Sequence, residues 1–172
     1  QHLSPVLMLL VKTKIGQSKI HGVGLFADQF ISKGTILWEF TLGFDQKFTR
    51  EQILHFPELL QVYICKYAWK SKKSGRYCFC SDNGKYFNHS DDPNTLSEYR
   101  DDKEEVISIA IKDIEIGEEL PDNYTSFENV YDDDNILEFI SKKYNLVDER
   151  DPRVKNGFVD KTETLRVPVV LG

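Results

Sequence analysis

The stretch Lys85-Tyr86-Phe87-Asn88-His89-Ser90-Asp91-Asp92-Pro93-Asn94 decides how the rest of the chain is read. An aromatic pair is followed at once by three polar side chains, Asn88, His89 and Ser90. Such a switch suits a strand that ends inside a site, with Tyr86 and Phe87 buried. Asp91, Asp92, Pro93 and Asn94 then predict a turn, because Pro presets φ and Asp and Asn bond their own backbone. Alone, an Asn-His pair is more often a hydrogen-bonded core pair than a ligand set. The decision therefore falls to what lies before and after it.

The 172 residues predict one domain with at most a short appendage. With 40% hydrophobic and 29% charged residues, the composition is that of an ordinary globular chain. The 11 Phe and 8 Tyr exceed what a core of this size needs, so some rings are expected to line a site. A net charge of −6 argues against direct nucleic-acid binding, which depends on a basic surface. A basic peptide or protein is the natural charged partner. Cys65, Cys78 and Cys80 are odd in number, and Cys78-x-Cys80 lacks two further ligands at zinc spacing. Buried thiols in a reducing compartment are expected, and no metal.

Asn88-His89-Ser90 and Asn123-Tyr124-Thr125 both match the glycosylation sequon. The start of the chain, however, has no basic region followed by a long apolar stretch and a cleavage site. The apolar run at residues 6–11 is too short to span a membrane. An intracellular location without membrane association is expected, cytoplasmic or nuclear. Met8 is the single methionine, and the native start is expected there.

Residues 6–14 predict a strand, 20–27 a two-glycine turn entering a second, and 30–40 a Ser-Lys-Gly turn entering a third. Thr49 and Gln52 have capping-box spacing for a helix to about His55, where Pro57 stops or restarts it. Leu59, Leu60, Val62, Tyr63, Ile64 and Tyr67 continue an apolar face at helical spacing. A basic loop at 70–76 leads to a short strand, and residues 95–99 and 106–111 predict two more. Residues 120–124 read as extended, with Pro121 keeping them out of a central strand. Asp132, Asp133 and Asp134 precede a helix whose apolar face is Ile136, Leu137, Phe139, Ile140 and Tyr144. The tail ends in Val167-Pro168-Val169-Val170, expected to dock as an extended segment. The pattern predicts a β-rich α+β domain.

Three stretches then combine in order: Gly22-Val23-Gly24-Leu25-Phe26, the Asn88-His89-Ser90 box with Pro93 and Asn94, and Gly117-Glu118-Glu119-Leu120 with Tyr124. With the turn Ile31-Ser32-Lys33-Gly34 they resemble the SET domain of protein-lysine methyltransferases, over residues 14–127. The compact length is similar to the small bacterial and viral members. The resemblance implies a SET (β-clip) fold of short strands with a knot-like core, one helical insert and a C-terminal helix. Residues 8–130 would form the catalytic domain, with the insert at 41–76 on the substrate side. Residues 131–172 would supply the helix and tail packed on it.

The resemblance also implies S-adenosylmethionine as cofactor and methyl transfer to a lysine of a histone or other basic protein. Gly22, Val23 and Gly24 would lie against the cofactor, where a larger side chain at a glycine would interfere. Asn88 would hold its amino-acid end and His89 its adenine, largely through the backbone. Phe127 would stack on the adenine or wall the lysine channel, core packing being the other reading. Tyr124 would be the catalytic residue. The alternative is a non-enzymatic SET-fold module that binds peptide or cofactor without turnover. Whether the chain pairs into a homodimer is left open.

Lysine must react as the neutral amine, and its ordinary pKa is about 10.4. A dry aromatic channel disfavours the ammonium form. Tyr63, Tyr67, Trp69 and Tyr77 are the candidate channel rings. No cysteine-rich segment follows Tyr124, so Phe127, Tyr131 and the helix at 132–144 are expected to close the channel. Asp122 stands two residues before Tyr124, where many members carry a Phe or Tyr that limits how many methyls fit.

Overall fold

The computed structural model describes residues 9–128 and 135–146. The expectations placed on residues 1–8, on Tyr131, Asp132, Asp133 and Asp134, and on the tail lie outside the described residues. In chain order the elements are β1 (Thr13–Gln17), β2 (Val23–Ala27), β3 (Ile36–Glu39), β4 (Gln46–Phe48), α1 (Arg50–His55), α2 (Glu58–Tyr67), β5 (Trp69–Lys70), β6 (Tyr77–Phe79), β7 (Thr95–Tyr99), β8 (Val106–Ala110) and α3 (Ile136–Lys143). The strands form three small antiparallel sheets, β1-β2, β3-β8-β7 and β4-β6-β5.

The central strand β8 buries Val106, Ile107, Ser108 and Ala110, on both faces of its sheet. That two-sided burial explains its nearly continuous apolar run. The first strand begins later than its sequence suggests. Thr13 pairs with Ala27, whereas Leu9 and Leu10 lie along β3, with Leu10 N–H donating to the Leu37 carbonyl at 2.7 Å. Leu9 is drawn to the core edge beside Trp38 rather than to the hairpin, while Leu10 stays exposed.

In the insert, Thr49 caps α1 as its spacing predicts. Gln52 N–H donates to Thr49 Oγ1 at 3.1 Å, and Thr49 N–H donates to Gln52 Oε1 at 2.8 Å. Phe56 is extended, as a residue before proline must be, and α2 restarts after Pro57. The insert is more than helical, because β4, β5 and β6 form a sheet of their own. β5 is two residues long, too short for alternation to show in sequence. Asp45 is buried and ties the start of the insert to the chain just after β6, beyond its end. It accepts from Thr41 N–H and from Ser81 N–H, each at 2.9 Å.

Two apolar clusters result. One joins Leu25, Ile31, Leu37, Trp38, Trp69, Val106, Ile114 and Leu120. The other joins Ile53, Ile64, Cys65 and Tyr77 of the insert to Ile136, Leu137 and Ile140 of α3. Tyr77 Oη accepts from Ile136 N–H at 2.9 Å, which fixes the start of α3 on the insert. Buried Glu105 ties the insert to β8 through Lys47 at 2.7 Å and Ser71 Oγ at 2.6 Å. Burial alone would raise the Glu105 carboxyl, but bonds from Lys47, Ser71 and Ser74 hold it below the ordinary range. Cys65, Cys78 and Cys80 are buried thiols. Burial pushes Cys78 and Cys80 well up, so both stay protonated and unreactive.

Candidate active site

The stretch around Asn88 differs locally from its reading. Residues Asn83–Tyr86 form a 3-10 turn rather than a strand, capped by Asp82 Oδ1 accepting from Gly84 N–H at 2.7 Å. Gly84 packs under Trp38, where a Cβ would come within 2.8 Å of Nε1. The cap and that close approach override the strand pattern. Phe87 is buried and Tyr86 only half-buried.

From there the chain meets residues 117–124. Asp122 N–H donates to the Asn88 carbonyl at 2.8 Å, and Ser90 N–H to the Asp122 carbonyl at 2.9 Å. His89 and Asp122 thus form a parallel bridge. On the opposite flank Leu120 N–H donates to the Leu25 carbonyl at 2.8 Å and Ala27 N–H to the Glu118 carbonyl at 2.9 Å. Pro121, with no N–H to place, uses its carbonyl to accept from Thr95 N–H at 3.2 Å and Thr95 Oγ1 at 2.8 Å. The segment is threaded between β2 and residues 88–95, which is the knot-like core.

Threading brings the candidate residues together. Asn88 Nδ2 reaches the His21 carbonyl at 3.1 Å, the Val23 carbonyl at 3.2 Å and Glu119 Oε1 at 2.9 Å. Tyr124 N–H donates to His89 Nδ1 at 3.1 Å. His89 is therefore the tautomer with its proton on Nε2, which donates to Asp91 Oδ1 at 3.2 Å. The His89 and Tyr124 rings lie 5.3 Å apart, and Tyr124 Oη donates to the Phe87 carbonyl at 2.5 Å.

The two glycines have separate reasons. Gly22 has φ of +45°, a left-handed conformation that favours glycine, and nothing lies within 4 Å of where its Cβ would be. Gly24 is buried, and a Cβ there would collide with Glu119 Oε1 and come within 3.0 Å of Ser18 Cβ. The room that Gly24 leaves is filled by the protein's own carboxylate. Val23 sits between them, exposed, at the start of β2.

Phe127 lies 5.8 Å from Tyr124 and 5.9 Å from buried Trp69, ring centre to ring centre. Tyr99 Oη donates to the Phe127 carbonyl at 2.8 Å. The four candidate channel rings divide. Trp69 continues the row Tyr124, Phe127, Trp69, whereas Tyr77 is buried in the second cluster. Tyr63 and Tyr67 form an outer group with Phe79 and Tyr86. The helix expected to close the channel packs by its apolar face on α2 and Tyr77.

Asp122 is 1% exposed and points into the sheet. It accepts from Ser97 N–H at 3.1 Å, Ser97 Oγ at 2.6 Å and Asn123 N–H at 2.6 Å. Burial raises its pKa above 3.8, while those bonds and the nearby His89 pull the other way. Its side chain is thus committed to holding β7 against the Asn123–Tyr124 corner. Glu119 and Ser18, which touch Asn88 or its partner, were not singled out in sequence. The only signal for Glu119 was its place in the Gly-Glu-Glu-Leu turn.

Fold and site define a SET domain. The SET-domain family model matches residues 22–125, and the chain belongs to that family. Among solved structures, Polycomb Repressive Complex 2 of Chaetomium thermophilum bound to GSK126 is similar at 24% identity and a TM-score of 0.55, over 77% of this chain and 17% of that one. The same complex in an autoinhibited conformation, bound to S-adenosylmethionine, matches at 22% identity and a TM-score of 0.53, over 77% and 17%. A Plasmodium falciparum chain described as a histone methyltransferase matches at 24% identity and a TM-score of 0.47, over 66% and 93%. The chain thus spans about a sixth of the Polycomb chains it matches. No curated protein matches it. Among the described residues, no helix is long and apolar enough to cross a membrane.

Proposed function

We propose that this chain is a protein-lysine N-methyltransferase that uses S-adenosylmethionine, with residues 8–130 as the catalytic unit. The observation that carries the reading is the junction of three distant segments: Asn88 bonds the turn at His21 and Val23, and His89 Nδ1 receives Tyr124 N–H. Family membership and a solved relative bound to S-adenosylmethionine support the choice of cofactor. The open space beside Gly22 and the polar end of Asn88 suit its amino-acid portion. Gly22, Val23, Gly24, Asn88 and His89 would hold it, with Phe127 at the margin.

When bound, the cofactor supplies a methyl group already activated on a sulfonium. The remaining work falls to alignment and exclusion of water. Tyr124 Oη, held by the Phe87 carbonyl, stands as an oriented dipole at the end of the threaded segment. Trp69 and Phe127 give that corner an apolar wall. There the neutral form of an entering lysine is favoured over the ammonium.

The acidic chain favours a basic protein substrate, and a similar solved Polycomb complex holding H3K27me3 makes a histone tail the first choice. Buried, protonated thiols fit an intracellular, reducing location. Calorimetry with S-adenosylhomocysteine, followed by transfer of labelled methyl to histones and to lysate proteins, tests the reading. Binding with transfer is expected. Absence of binding overturns it, and binding without transfer on a broad panel leaves a non-enzymatic module.

A further inference from the structure

The environment of Asn88 fixes which end of its amide faces outward. Its Nδ2 is surrounded by three acceptors: the His21 carbonyl at 3.1 Å, the Val23 carbonyl at 3.2 Å and Glu119 Oε1 at 2.9 Å. Only the NH2 end of a carboxamide can occupy that position, since an oxygen there would face three oxygens. Oδ1 is therefore the end turned away from the turn, and it is an acceptor.

Glu119 is what makes this arrangement rigid. Its Oε1 also accepts from Ser18 Oγ at 2.6 Å. Ser18 Oγ in turn accepts from Ile20 N–H at 2.8 Å and His21 N–H at 3.1 Å, so its one proton is committed to Glu119. The glutamate backbone is clamped as well. Its carbonyl accepts from Asn94 Nδ2 at 2.8 Å, and the next residue bonds Leu25. One carboxylate thus links the turn at 18–21, the close approach at Gly24 and the amide of Asn88.

We propose that Glu119, braced by Ser18, is a positioning residue that presents Asn88 Oδ1 to the cofactor and selects its α-ammonium group. The inference rests on the methyltransferase reading above. An acceptor backed by a carboxylate favours a cation at that point, and disfavours the cofactor's own carboxylate there.

The test compares S-adenosylhomocysteine with its analogue lacking the α-amino group, by calorimetry on wild type, Glu119→Ala, Glu119→Gln and Ser18→Ala. Wild type is expected to prefer the amino-bearing ligand by about 10- to 100-fold, the scale of a charge-assisted hydrogen bond. In Glu119→Ala that preference collapses to about threefold or less, while the deamino ligand binds as before. Glu119→Gln, which can still accept through Oε1, retains part of it. At saturating cofactor, kcat stays within about threefold in all variants, so the loss appears in KM. A preference that survives in Glu119→Ala overturns the proposal, as does equal weakening of both ligands. If Glu119→Ala does not fold, Ser18→Ala decides in the same way, with a smaller but selective loss. Wild type that binds neither ligand overturns the methyltransferase reading itself. Wild type that binds both equally overturns only the role of Glu119.

Discussion

Between residues 117 and 124 the chain is held by its backbone, bonded to Leu25 and Ala27 on one flank and to Asn88, Ser90 and Thr95 on the other. Between residues 41 and 81 it is held mainly by side chains, with Ile53, Ile64, Ala68 and Tyr77 packed against α3. On the methyltransferase reading, the first arrangement frees the side chains of Asn88, His89 and Tyr124 for the site, because main-chain bonds already fix their positions. The second uses its side chains for volume. Substitutions in the threaded segment are therefore expected to change rate more than stability, and substitutions in the insert to do the reverse.

The strongest test of that separation is Tyr124→Phe. Loss of one oriented donor is expected to lower kcat about 100- to 1000-fold. Losing the bond to Phe87 costs only about 1 kcal/mol of stability. Single-turnover rates and thermal melts on the same samples measure both, and a large fall in stability would break the contrast. Next comes Ile140→Ala, which opens a cavity in the second cluster. It is expected to cost about 3 kcal/mol in denaturant unfolding, with kcat within about twofold while the protein is folded. A matching loss of rate would mean that the two clusters act as one. Thr49→Ala removes the α1 cap and is expected to cost about 1 kcal/mol, again without effect on cofactor affinity.

The smallest effect is a pH dependence. Asp122 has its pKa raised above 3.8 by burial, so in the window above that value the folded state binds more proton than the unfolded one. Its contribution to stability therefore declines as pH rises. An amide in place of this carboxyl can keep the contacts, because Ser97 Oγ can accept from the amide and donate to Ser108 instead. Asp122→Asn is thus expected to gain on wild type in melting temperature between about pH 4 and about pH 7. A constant difference across that range would show that the native carboxyl titrates normally.

Much of this contrast was legible in sequence, and for physical reasons. Thr49 and Gln52 declare their helix start because capping is local, and β8 declares itself through an apolar run set by two-sided burial. The Gly-x-Gly, Asn-His and Gly-Glu-Glu-Leu stretches were recognisable as a set, although their contacts join residues as far apart as Leu25 and Leu120. What remained hidden depends on such contacts alone. Nothing local says that Asp122 turns inward to Ser97, that Gly24 makes room for Glu119, or that Tyr77 belongs to a different cluster from Trp69. The strand read at residues 85–87 failed because one aspartate cap and one tight glycine outweighed an aromatic pair.

Asp45 has a wider consequence. By accepting from Thr41 and Ser81 it brings the two ends of the stretch that holds the insert and β6 onto one carboxylate, like a clasp. A segment closed at its base can change length at little entropic cost, since loop closure grows only slowly with the number of residues. Length can therefore change in the outer parts of the insert at little cost, while Trp69 and the bonds of Lys47 and Ser71 to Glu105 keep its inner parts in register with the core. On the methyltransferase reading, the insert is then a part that can vary at its outer loops while the corner of Tyr124, Phe127 and Trp69 stays in place.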